Sequence, residues 1–178
     1  LSVDKVFVLL SKIAHYIHFN KAYPISKQQV LKIIDQYNED YGADVIGIDF
    51  ISIATQANIL VFDETLTGYR FANKNYLAYF VARELNSQYN NTGDDSDLQT
   101  VLRYACFGIN ADILLFVSYI TDNIKILRLI LQIAIEYTKD WAEFDLLNNV
   151  PNFLSMEKKH YVELPAEDAK QKEQEAEV

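Results

Sequence analysis

Two histidines, His15 and His18, stand three residues apart and would share one helix face, a spacing at which metal ligands pair. A zinc site needs further ligands, and none of matching type lies nearby, since His160 is remote in sequence. The pair therefore reads as the polar edge of a core helix. Asp94, Asp95 and Asp97 approach calcium-loop spacing, but no Gly holds the turn position and no Glu closes the loop. A solvated loop is the better reading. Cys106 falls in an apolar helical run between Tyr104 and Phe107, with no base assigned to deprotonate it, and reads as a buried, inert thiol. As the single cysteine it excludes an internal disulfide framework and any multi-thiolate zinc site, and it fits a reducing compartment.

Phosphate chemistry has no cradle here. The glycines are Gly42, Gly47, Gly68, Gly93 and Gly108, and none belongs to a GxxxxGK[ST] or GxGxxG pattern. Neither GxSxG nor HExxH occurs. The expectation is a non-catalytic chain with no metal and no cofactor of its own. Its 178 residues, half of them hydrophobic, suffice for a real core. The net charge of −9 argues against nucleic acid as the default partner. No basic segment leads into a short apolar core at the start, so no secretory signal is visible. The most apolar region, Ile109 to Ile135, is interrupted by Asp112, Asp122, Lys125 and Arg128, which makes a membrane span improbable. The chain reads as an excised piece of a longer cytoplasmic protein.

The elements that must position these residues are mostly helices. Ser2 or Asp4 caps a first helix to about Phe19, with Val3, Val6, Phe7, Leu10, Ile13, Ala14 and Ile17 as its apolar stripe. Ser26, with Gln29 three residues later, opens a second helix that ends near Gly42. Asp49 to Asn58 suggests a short third helix. The runs Ile59–Phe62 and Tyr69–Phe71, joined by an acidic loop ending in Gly68, read as a β-hairpin. Three helices followed by a hairpin is the order of a winged helix.

From Asn73, a good N-cap, the pattern is helical through Leu85, and the polar stretch Ser87 to Asp97 reads as a loop. Helical runs at about Asp97–Cys106, Ala111–Thr121 and Ile124–Asp140 follow, with short connections that suggest an antiparallel bundle or array. Apolar density on more than one face of 113–135 implies that these helices are sandwiched. Pro151 closes the next piece, and the tail beyond Pro165 carries no apolar face. The expected organisation is a winged-helix-like domain over 1–72, a helical arm over 73–154, and a charged, frayed or disordered tail over 155–178.

A winged helix suggests DNA binding, and the charges argue against it. Ile48 to Asn58 contains no Lys or Arg, Asp49 adds a negative charge, and the wing offers Asp63 and Glu64. The third helix looks instead like a protein-packing face.

The stretch Tyr69 to Arg83, YRFANKNYLAYFVAR, resembles the segment that closes the winged-helix domain of NACHT-type STAND nucleotidases. There a strand ending in Phe is followed by a polar pair or His, an aromatic, and a Glu-Tyr-Phe-x-Ala helix. Phe71, Tyr76, Tyr79, Phe80, Ala82 and Arg83 match; Asn73 stands where the family often has His, and Ala78 replaces the Glu. The resemblance implies a regulatory, non-catalytic part of a larger STAND-type ATPase, whose ATP or ADP and Mg belong to an upstream nucleotide-binding domain. That domain of the same chain would be the partner, together with oligomer partners. Asn73 is the implied nucleotide-sensing position, with Phe71, Tyr76, Tyr79 and Phe80 packing the junction; Tyr76, Phe80 and Leu85 are expected in the core. Relatives act in bacterial antiviral defence, and the same role is implied here. Two alternatives stand beside this reading: a winged-helix nucleic-acid-binding regulator with basic contacts elsewhere, and a helical protein-interaction scaffold.

Overall fold

A computed structural model describes residues 1–139. Seven helices and one two-stranded sheet lie among them, so the mainly helical expectation is met. Residues Leu1–Tyr137 form one compact unit, and the 72/73 boundary falls inside it, where the hairpin runs into the next helix. The end of the proposed arm, Pro151, His160 and the 155–178 tail lie outside the described residues.

Helix α1 (Val3–Asn20) is capped by Ser2, whose Oγ accepts from the Lys5 N–H at 3.4 Å. Its stripe is deeply buried: Leu9, Leu10, Ile13 and Ala14 are fully covered, whereas Val3 is exposed. Ser26 caps α2 (Lys27–Tyr41) through the Gln29 N–H at 3.1 Å, and Gly42 ends it at φ +57°. The α2–α3 turn is held by one side chain: Asn38 Nδ2 donates to the Val45 carbonyl, and Asn38 Oδ1 accepts from the Val45 N–H, both at 3.0 Å. Helix α3 (Gly47–Gln56) buries Phe50, Ile51 and Ala54.

Strands β1 (Leu60–Asp63) and β2 (Gly68–Phe71) pair antiparallel, with Leu60 opposite Phe71 and Asp63 opposite Gly68. Asp63 organises the turn: Oδ1 accepts from the Leu66 N–H at 3.0 Å, and Oδ2 lies 3.5 Å from Arg70 Nε. The far side of β2 is also paired. Ile25 and Tyr69 exchange N–H···O bonds of 2.9 and 2.7 Å, which ties the α1–α2 connection to the hairpin. That close approach explains Gly68, where a Cβ would sit 2.9 Å from the Ile25 carbonyl oxygen and from the Pro24 ring.

Helix α4 (Lys74–Thr92) packs between α1 and α6, followed by α5 (Ser96–Arg103), α6 (Asn110–Ile120) and α7 (Ile124–Thr138). Three expectations are corrected. The stretch Ser87–Thr92 is helical, not a loop, and α4 ends only at Gly93, φ +73°. Its polar side chains bond along the helix: Asn90 reaches Asn86, Asn91 reaches Ser87, and Thr92 reaches the Gln88 carbonyl. Cys106 is exposed, because α5 stops at Arg103 and the thiol stands in the following turn. Helices α6 and α7 are not covered on every face among the described residues: Leu115, Tyr119 and Leu131 are exposed, and α7 buries Ile126 alone.

Candidate functional site

The candidate site is the joint where β2 becomes α4. Phe71 ends the strand at 3% exposure, and the Ala72 N–H donates to the Ile59 carbonyl at 2.9 Å. One residue later Asn73 adopts extended dihedrals (φ −136°, ψ 141°) and caps α4. Its Oδ1 accepts from the Asn75 N–H at 2.8 Å, and its carbonyl accepts from the Tyr76 N–H at 3.1 Å. The cap occupies Oδ1, while the Nδ2 donors take no part in it.

Asn73, Lys74, Asn75 and Tyr76 are all exposed, Tyr76 by 44%. Tyr76 therefore corrects the expectation of a core residue; Phe80 and Leu85, buried to 3% and 2%, meet it. The geometry follows from helix phase. Residues 78, 81, 82 and 85 turn toward α1 and α6, and position 76 falls on the opposite side.

Behind the exposed turn lies an aromatic chain. Phe71 and Phe80 are 5.8 Å apart, Phe80 meets Phe7 of α1 edge-on at 5.6 Å, and Tyr79 meets Phe80 at 5.1 Å. Tyr79 also packs edge-on against Phe116 of α6 at 5.8 Å. Arg83 lies over the Phe7 ring, its guanidinium carbon 5.5 Å from the centroid. The structure thus brings Phe71, Tyr79 and Phe80 together, while Asn73 and Tyr76 stand on the surface beside them. Reading along the chain places Phe7 in the α1 stripe without joining it to this site, and does not single out Phe116. Each is a partly buried apolar residue in its own helix, and nothing in one-dimensional spacing says that they meet the same ring.

An ion pair spans the same joint, with Lys74 Nζ 3.3 Å from Asp112 Oδ2 of α6. It is largely exposed and worth at most about 1 kcal/mol. Chemically, the joint is an uncovered helix start carrying one ammonium and two carboxamides. Such a surface favours anions through the positive end of the helix dipole.

The histidine pair has a structural role. His15 Nε2 lies 2.7 Å from Asp97 Oδ2, linking α1 to α5. Burial, and next repulsion from His15, lower the His18 pKa below its ordinary 6.5, against the opposing attraction of Asp97. Asp94 is lowered by hydrogen bonds from the Ser96 backbone and side chain, which close the turn into α5. Among the described residues no group of three His, Cys, Asp or Glu side chains could hold a metal ion, and no helix is long and apolar enough to cross a membrane.

No curated protein matches the chain, and no solved structure matches it. Residues 23–81 match the family described as Novel STAND NTPase 4. The matched stretch opens two residues before the Ile25 bridge, takes in α2, α3 and the hairpin, and ends within α4 at Val81. Across that third of its length, which contains the whole β2–α4 joint, the chain is similar to a STAND-type NTPase family.

Proposed function

We propose that the chain is a regulatory, non-catalytic segment of a larger STAND-type ATPase of NACHT-like organisation, and that the β2–α4 joint couples nucleotide state to the position of the helices that follow. The carrying observation is the family match over 23–81, which takes in the whole joint. Element order supports a winged-helix reading of the first part. Three helices precede the hairpin, and the Ile25–Tyr69 bridge adds the short third pairing that packs the hairpin against the helices.

The sequence of this chain holds no GxxxxGK[ST] pattern to cradle the phosphates of ATP. The nucleotide domain of the longer protein is assigned that work. Asn73 then acts where a phosphate-facing residue would be needed: its Oδ1 holds the cap and its Nδ2 is the donor offered outward. Helix α3 supplies a face for protein packing, with Ile48 and Ile53 exposed beside Asp49 and no cation. A place in bacterial defence signalling follows from the resemblance alone.

Titrating magnesium-ATP calorimetrically into the 178-residue chain tests the assignment. No binding tighter than about 1 mM is expected. A dissociation constant near 1 μM would place a nucleotide site in this segment and overturn the proposal.

A further inference from the structure

The second half of α4 breaks the rules of its own element. From Asn86 to Thr92 the sequence is NSQYNNT, and Asn, Ser and Thr are poor helix formers that compete for backbone bonds. Such a conflict between local preference and fold is expected where a surface has work to do. Here those side chains line a groove. One part, about 380 Å³, is bounded by Val8 and Ser11 of α1, by Ile120 of α6, and by Arg83, Asn86, Asn90 and others of α4. A second part of about 210 Å³ shares Val8, Glu84, Ser87 and Asn91, and continues past Lys12 and Tyr41 to Thr92.

The lining has a particular chemistry. Asn86, Asn90 and Asn91 form a row of carboxamides, each offering two donors and an acceptor. Their mutual bonds are long: Asn90 Nδ2 to Asn86 Oδ1 is 3.4 Å, and Asn91 Nδ2 to Ser87 Oγ is 3.3 Å. Asn123 Nδ2 anchors the row from beyond α6, donating to Asn90 Oδ1 at 2.8 Å. Among the described residues, Asn86 Nδ2 donates to none, and Asn90 and Asn91 each spend one N–H. Of the flanking charges, Lys12 Nζ lies 3.5 Å from the largely buried Glu84 carboxylate, and Arg83, stacked over Phe7, leaves one net positive charge. A phosphate would meet Glu84 in the same groove, which disfavours it.

We infer that this groove binds an extended polypeptide segment through its main chain. A carboxamide matches a peptide unit, donor to carbonyl and acceptor to N–H. Tyr79 to Thr92 spans about 20 Å at 1.5 Å per residue, the reach of roughly six extended residues. Val8 and Ile120 supply the apolar floor for alternate side chains. This partner site is independent of the nucleotide reading, and its failure would leave that reading untouched.

The test is display selection of a random dodecapeptide library against the 178-residue chain, followed by anisotropy titration of the enriched peptides. Enriched peptides should bind, lose about tenfold or more in affinity to N86A/N90A, and lose it again when their central amides are N-methylated. Asn→Ala favours helix and offsets the lost Asn123–Asn90 bond, so the measured melting temperature of the double variant should match the parent chain, and a match separates lost binding from unfolding. Enrichment of nothing, unchanged affinity in the double variant, or indifference to N-methylation would overturn the inference. So would binding of oligosaccharides alone on a parallel glycan array.

Discussion

The β2–α4 joint and helix α7 are similarly apolar in sequence and opposite in structure. At the joint, rings from β2, α4, α1 and α6 converge, and Phe71 and Phe80 are each 3% exposed. Helix α7 carries Ile124, Ile126, Leu127 and Leu131, yet Ile126 alone is buried. The difference is convergence. An apolar side chain contributes to stability when other elements reach it: rings from four elements meet at the joint, whereas in α7 Leu129, Ile130 and Ile133 are only partly buried beside Ile126.

The contrast is broken most strongly by truncation. Phe80→Ala should cost about 3–5 kcal/mol, because its ring touches three others and the hole cannot close. Leu131→Ala, at 59% exposure, should change stability by less than about 0.5 kcal/mol. Urea unfolding of both variants checks the pair, and comparable losses would erase the distinction. Asn73→Ala comes next, with about 1 kcal/mol lost from the α4 cap, read as a lower melting temperature.

The smallest effect sharpens the comparison at the far side of α1. His18 has a folded pKa below 6.5, so the unfolded chain holds its proton more tightly. Its contribution is therefore complete above about pH 6.5 and declines as pH falls through the folded value. His18→Gln should lose less stability than the parent chain between pH 7.5 and 5.5. An unchanged pH slope would assign the acid sensitivity elsewhere.

Much of the fold was legible because its signals are local. Ser2, Ser26 and Asn73 cap helices as hydroxyl and amide caps should, and Gly42 ends one. The hairpin showed in its two short runs around an acidic turn. What failed was non-local. Ser87–Thr92 has loop composition, and it is helical because α4 is already packed on α1 and α6 and its side chains bond along the turns. Cys106 looked buried because its neighbours are apolar, but Tyr104 and Phe107 stand exposed in the same turn. At the site, Phe71, Tyr79 and Phe80 followed from one stretch, whereas Phe7 and Phe116 are distant in sequence and meet it only through helix packing.

The central claim is that the surface beside this packed joint faces a nucleotide in the longer protein. Asn73→Asp isolates it, since Asp caps a helix about as well as Asn and the fold should be unaffected. It replaces the outward Nδ2 donor with a carboxylate that repels phosphate. The decisive measurement is ADP affinity of the full-length protein carrying Asn73→Asp, beside the melting temperature of the 178-residue variant. The account predicts about tenfold weaker ADP binding, raised basal activity and an unchanged melting temperature. Unchanged ADP affinity would contradict it and leave Asn73 as a helix cap alone.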